Sequence, residues 1–226
     1  MKKIYSIAID GPAASGKSTA AKKVSKALGF LYVDTGAMYR AFTLHMLRLS
    51  LDCRNENDAH EALKTFHVSE DKSGHVFLNG EDVTDRVRET DVSNQVSFAC
   101  AHKEVREECV RIQQEMSKNE SVCMDGRDIG TVVLKDATLK IYQVASVKAR
   151  AERRYLENKS RGIPSTLEEI EKDLERRDYI DSHREISPLR KADDAIVLDT
   201  SDMTIEEEVE AILRLFREKV GEEHGN

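Results

Sequence analysis

The chain has 226 residues, and 35 Lys+Arg against 42 Asp+Glu give a net charge of −7. That balance supplies no broad basic field for a polyanion, so nucleic-acid binding is disfavoured and any anionic ligand must be caught by local charges. With 39% hydrophobic residues the chain can build a core, while 5% aromatics and no Trp leave little for an aromatic stacking surface.

The first apolar run, Ile4 to Ile9, leads directly into Asp10-Gly11-Pro12. It is too short for a signal-peptide core and reads as a strand. Lys17 to Leu28 has helical spacing, with Ala20, Val24 and Leu28 on one stripe, and Gly29 stops it. Phe30 to Val33 is a second strand, Met38 to Leu49 a helix, and Asp34 or Thr35 its cap. From about Phe66 to Val87 the rhythm changes. The turn signals Lys72-Ser73-Gly74 and Asn79-Gly80 flank an alternating segment, His75 to Leu78, which predicts a small antiparallel insertion.

Val105 to Met116 predicts a helix, Ser121 to Met124 a strand, Leu139 to Val144 another, and Val147 to about Lys159 a helix. Thr166 to Glu169 and Thr204 to Glu207 are capping boxes that open two further helices, with a fifth strand, Ala195 to Leu198, between them. Strands separated by helices imply a parallel sheet with helices on both faces. The C-terminal Gly221 to Asn226 is polar and is expected to fray. Cys53, Cys100, Cys109 and Cys123 form no C-x-x-C pair and are expected to be buried thiols of a reducing cytosol. No run approaches the ~20 apolar residues of a membrane span, so a cytoplasmic chain with no membrane partner is expected.

The sharpest signal is Gly11-Pro12-Ala13-Ala14-Ser15-Gly16-Lys17-Ser18, a full G-x-x-x-x-G-K-[ST] between a strand and a helix, with Thr19 following. Its glycines let successive N–H groups turn toward phosphate oxygens, and the helix beginning near Lys17 adds its positive end. Lys17 supplies a cation for the β- and γ-phosphates, and Ser18 a hydroxyl for Mg²⁺. The loop alone does not choose between motors, switches and small-molecule kinases. A guanine-reading Asn-Lys-x-Asp segment is missing, and Val122 to Asp125 is followed by Gly126 and Arg127 rather than by a second acid. Asp34, Arg40, Asp125, Arg127 and Asp128 all follow strands, and open parallel sheets bind ligands at the carboxyl ends of their strands. Arginines there suit a phosphorylated acceptor.

Together with the loop, Asp34 to Arg40, Gly80 to Thr84, Asp125-Gly126-Arg127-Asp128-Ile129-Gly130-Thr131-Val132-Val133 and Arg176 to Arg184 closely resemble the bacterial cytidylate kinases over essentially the whole chain. The resemblance implies a single kinase domain over 1–226 with the α/β fold of nucleoside monophosphate kinases. That fold has a five-stranded parallel core (1–35, 102–153 and 186–226) and an acceptor-binding region (36–101, with the β insertion at about 60–97). A short lid with its flanking helix covers 154–185.

The resemblance also implies ATP-dependent phosphorylation of CMP and dCMP by a monomer. It assigns Thr35, Arg40, Ser97, Arg106, Arg127, Asp181 and Arg184 to the acceptor nucleotide. Asp128 is expected to orient an arginine or the acceptor rather than to act as a base. By their position, Arg150, Arg153 and Arg154 share a helical face near the lid and read equally as ATP clamps, Arg153 foremost, or as surface ion pairs with Glu152 and Glu157. Arg106 sits among Glu104, Glu107 and Glu108, where a surface ion pair is the plain reading of the residues by themselves. UMP or shikimate as acceptor, or a nucleotide-gated binding switch, remain the competing expectations.

Overall fold

The computed structural model describes residues 3–71, 74–160 and 162–223, without the side chains of 222 and 223. The expected turn at Lys72-Ser73, Arg161 of the expected lid, and the expected fraying of the last three residues lie outside the described residues. By its internal contacts the chain divides into two compact units, 1–30 with 123–226, and 31–122.

Among the described residues, eight strands form two sheets. In the larger one, five strands run in the order β2 (Leu31–Asp34), β6 (Val122–Gly126), β1 (Ser6–Asp10), β7 (Leu139–Val144), β8 (Ile196–Asp199). The sheet is parallel; Ile9 pairs with Ile141, and Val144 with Asp199. The inner strands read as near-continuous apolar runs because both of their faces are buried: Ile7, Ala8 and Ile9 have no exposed surface.

In the first unit, β1 feeds the phosphate loop and then α1 (Lys17–Leu28). The helix buries Ala20, Ala21, Val24 and Ser25, and ends with Gly29 in the left-handed conformation, donating to the Ser25 carbonyl. After β6 the chain makes a π-helical turn, Ile129–Val133, which no sequence pattern announced. Then follow β7, α6 (Val147–Ser160), α7 (Leu167–His183), β8 and α8 (Ile205–Glu223). Both expected capping boxes form: Thr166 accepts from Glu169 N while Glu169 reaches back to Thr166 N, and Thr204 and Glu207 do the same.

The second unit is built on α2 (Thr35–Arg48), which buries ten of its fourteen residues. Asp34, not Thr35, caps it, with Oδ1 accepting from Ala37 N at 2.9 Å. The antiparallel sheet β3 (Val68–Glu70), β4 (Val76–Leu78), β5 (Glu81–Asp82) has the expected hairpin at Asn79-Gly80. Val76 and Leu78 join the core of Met38, Phe42 and Leu44, where Phe42 meets Phe66 edge-on at 5.1 Å. The unit also holds α3 (Glu56–Leu63), α4 (Thr90–Ala99) and α5 (Lys103–Met116). Neither α3 nor α4 was expected from the sequence, because each is short and buries only two residues, too few for a visible stripe.

Among the described residues no cysteine is in a disulfide, and Cys53, Cys109 and Cys123 are buried as expected, whereas Cys100 is half-buried. No described helix is long and apolar enough to cross a membrane.

Candidate active site

The phosphate loop is shaped by contacts on its rear side. A Cβ on Gly11 would lie 2.2 Å from the Gln143 carbonyl oxygen, so only glycine fits where the loop crosses β7. Gly16 sits at φ 101°, a conformation that any side chain would strain, and there the loop turns into α1. Its carbonyl accepts from Ala20 N at 3.1 Å, the first helical bond.

Three loop carbonyls are held by side chains. Lys17 Nζ donates to Pro12 O at 2.7 Å. Arg150 donates to Ala13 O at 3.1 Å and is itself held by Asp178 at 2.6 Å. Ser15 O accepts from Gln143 Nε2 at 2.5 Å, Arg153 Nη1 at 2.8 Å and Thr200 Oγ1 at 3.3 Å. Arg153 thus engages the loop backbone in this structure, and its other amino group donates to the Thr200 carbonyl. Arg154 pairs with Glu157 at 3.5 Å, the surface ion pair that was one of its two readings. Ala13 packs with Ala151, Ile170 and Leu174, which ties the loop to α6 and α7.

Lys17 is almost fully buried. Burial, and then the nearby Arg127 charge, bring its ammonium down to about 7, against the pull of Asp125, Asp10 and Asp181. A buried lysine near half-protonation is a cation waiting for an anion. Ser18 Oγ donates to Asp125 Oδ2 at 2.7 Å. A hydroxyl beside a carboxylate is a hard oxygen pair whose chemistry suits Mg²⁺. Asp10, at the end of β1, accepts from Ile129 N at 2.7 Å and Gly130 N at 2.8 Å. Burial lifts it to about 6 despite those two bonds. This carboxylate anchors the start of the turn that follows Arg127 and Asp128, a role the sequence did not suggest.

Asp181 stands between two arginines. Its Oδ2 accepts from Arg127 Nε at 2.7 Å, and its Oδ1 lies 3.9 Å from Arg184 Nη1. Burial raises the Asp181 carboxyl, but the Arg127 charge and hydrogen bond, together with the Arg184 and Arg177 charges, hold the group below the usual range. Arg184 Nη2 is also 3.9 Å from buried Asp128. Arg184 lies just past α7, which ends at His183, and its backbone is extended. It still meets Asp181, because its Nε donates to Ser187 O at 2.7 Å and turns the guanidinium back.

In the second unit, Thr35 is buried at the first position of α2. Arg40 lies one turn later; its Nη1 would be 3.2 Å from a Cβ on Gly36, so the absent side chain leaves room for the guanidinium. Arg106 is only 3% exposed despite its acidic neighbours in sequence. Its guanidinium lies 5.2 Å from the Tyr39 ring centroid, a cation–π contact. The surface ion pair expected from the residues alone does not describe it. The reason is helical phase: Val105, Arg106 and Cys109 face inward while Glu104 and Glu107 face out. Ser97 is exposed on α4, and Thr19 on α1.

A parallel sheet whose first strand opens into a phosphate loop, with a buried lysine and two arginines following, defines a P-loop phosphotransferase. The family model described as "Cytidylate kinase" matches residues 7–218. The chain belongs to the cytidylate kinase family, whose members are nucleoside monophosphate kinases. It is 51% identical over 218 residues to a cytidylate kinase of Bacillus cereus strain B4264, covering 95% of this chain and 97% of that one. It is 50% identical over 216 residues to a cytidylate kinase of Bacillus thuringiensis strain Al Hakam, covering 94% and 96%. A solved structure of an uncharacterized protein from Eubacterium ventriosum shares the fold at a TM-score of 0.53 and 11% identity, covering 96% of this chain and 99% of that one.

Proposed function

We propose that this chain transfers the γ-phosphoryl group of ATP to the 5′-phosphate of CMP and dCMP, giving CDP and dCDP with ADP. The observation that carries this reading is the cluster of Lys17, Arg127, Asp181 and Arg184 beside a complete phosphate loop. The attacking group is an oxygen of the acceptor phosphate. It forms a bond to the γ-phosphorus as the bond to the β–γ bridging oxygen breaks and ADP departs. That oxygen is already anionic, so no general base is required, and Asp128 is assigned to orienting Arg184.

The protein's part is positioning and charge. Backbone N–H groups of residues 13–19 and Lys17 hold the donor, while Arg127 and Arg184 hold the acceptor phosphate and the moving charge. Asp181 keeps both guanidinium groups in place before a phosphate arrives. It is also assigned to the pentose hydroxyls. In the second unit, Arg40 and Arg106 are assigned to the acceptor nucleotide, Ser97 to its base, and Thr35 to cytosine or sugar. Ser18 and Asp125 would hold Mg²⁺, which when bound neutralises phosphate charge. We assign the lid, about residues 154–165, to closing over the donor and excluding water. We place the reaction in the cytoplasm and assign the chain as a monomer with no nucleic-acid partner; four cysteines outside any disulfide support a reducing compartment.

An acceptor panel tests this. With ATP, ADP release is expected to be fastest for CMP and dCMP, slower for UMP, and near background for shikimate or no acceptor. Turnover without acceptor at the CMP rate would favour a switch, and a preference for shikimate would overturn the acceptor.

Proton linkage gives a second test. Bound polyphosphate favours charged Lys17, whose group otherwise sits at about 7, and raises Glu208, which burial places at about 7. Both shifts take up protons. Titration calorimetry at pH 8 in buffers of different ionisation enthalpy is expected to show proton uptake on ATP binding, with affinity falling from pH 7 to 9. Proton release, or affinity independent of pH over that window, would count against Lys17 meeting the phosphates.

A further inference from the structure

We propose that Gln143 is a positioning residue of the phosphate loop: its side-chain amide, with Arg153 and Thr200, fixes the Ser15 carbonyl toward the sheet so that the Gly16 N–H points the other way, at the donor's phosphates. The inference rests on the loop binding ATP, and it concerns a residue that never touches the nucleotide.

The argument starts from the peptide unit. A trans peptide is planar, with C=O and N–H pointing in opposite directions, so fixing one fixes the other. The unit in question joins Ser15 to Gly16. Gly16, at φ 101°, has no side chain to resist rotation of that unit. Something outside the loop has to set its orientation. Ser15 O receives three donors, from β7, α6 and the residue after β8: Gln143 Nε2 at 2.5 Å, Arg153 Nη1 at 2.8 Å and Thr200 Oγ1 at 3.3 Å. A carbonyl has two lone pairs, so this one is fully engaged.

Gln143 stands out among the three. It is completely buried, on the face of β7 that also carries Leu139 and Ile141. A buried amide is retained at a cost unless its hydrogen bonds are made. Its backbone carbonyl also meets the other end of the loop, since it is the atom that denies Gly11 a side chain. One residue of β7 therefore shapes the loop at both ends, with its main chain at Gly11 and its side chain at Ser15. The space behind Gly16 is closed by Glu208 of α8, whose Oε2 would be 3.2 Å from a Gly16 Cβ, and by Arg153 at 3.7 Å. The Ser15–Gly16 unit thus has little room for an alternative orientation.

The test compares wild type with Gln143→Met, which keeps length and burial but cannot donate. Losing one of three donors is expected to raise KM for ATP about five- to tenfold and to shrink the ATP-induced rise in melting temperature. KM for CMP and the CMP-induced rise are expected to stay within about twofold, the split that a merely structural residue would not give. Gln143→Leu, with a different shape, is expected to give the same split and guards against poor packing of Met. KM for ATP within twofold of wild type in both variants, or equal rises in both KM values, would overturn the proposal. The ATP-induced shift is read without acceptor, so it tests Gln143 even where the CMP assignment fails. A wild type that binds ATP but does not phosphorylate CMP would count against the acceptor assignment alone.

Discussion

Lys17→Met is expected to lower kcat about 10³-fold while the protein stays folded. The ammonium is the one cation inside the loop, held at Pro12 O by a 2.7 Å bond and nearly buried. Removing a preorganised charge from the moving phosphoryl group costs about 4 kcal/mol of barrier, which is the expected factor. The fold should not suffer in proportion, because burial already penalises this charge. A lysine at about 7 in the folded protein and near 10.4 unfolded binds fewer protons when folded between those values. Wild-type stability therefore gains from this group as pH rises from about 7 toward 10, and is held down by it below 7. The variant lacks that slope. Equilibrium unfolding at pH 7 and 9 is expected to show the variant at its best, relative to wild type, at pH 7. Turnover within tenfold of wild type would remove Lys17 from the chemistry, and with it the phosphate-loop assignment.

The second large effect is expected for Arg127→Ala: kcat/KM for CMP falls about 10²–10³-fold, while KM for ATP stays within about threefold. Arg127 Nε meets Asp181 at 2.7 Å, so truncation also strands a largely buried carboxylate. Breaking such a pair costs up to about 3–5 kcal/mol when both groups are sealed; here each side chain is about a fifth exposed and Arg184 remains 3.9 Å away, so a smaller loss is expected. Compared with Asp181→Asn alone, which accounts for the lost pentose contact, the double variant Arg127→Ala/Asp181→Asn separates the two consequences. It should recover melting temperature, because no uncompensated charge remains, but should not recover activity on CMP. Recovery of activity along with stability would mean that Arg127 only held the structure. Loss of Arg127 also lifts Lys17 back toward its ordinary range, since its charge is the second cause of the depression. Proton uptake on ATP binding at pH 8 should then shrink.

Much of this molecule was legible locally. The strand, loop and first helix, the stop at Gly29, the capping boxes at Thr166 and Thr204, and the hairpin at Asn79-Gly80 all depend on residues within a few positions of one another. Each formed where the pattern placed it. The capping choice at α2 was narrowed to two residues, and the structure took Asp34, whose carboxylate reaches Ala37 N. Where the sequence offered only alternatives, burial decided. Arg106 lies among glutamates in sequence yet points inward onto Tyr39. Arg153 and Arg154 are adjacent, yet one grips the loop and the other pairs with Glu157.

The charge of −7 and the phosphate-loop pattern together set the kind of ligand before any fold was considered: a small polyphosphate, held by a few local cations rather than by a basic surface. The sequence alone also carried the acceptor, through motifs whose resemblance spans the chain. What it could not reveal is how the loop is held in shape. Ser15 O meets Gln143 across 128 positions, Arg153 across 138 and Thr200 across 185, and Asp10 meets Ile129 across 119. No local pattern encodes such distances. A parallel sheet brings the ends of remote strands side by side, and only there do a buried amide, a guanidinium and a hydroxyl converge on one carbonyl.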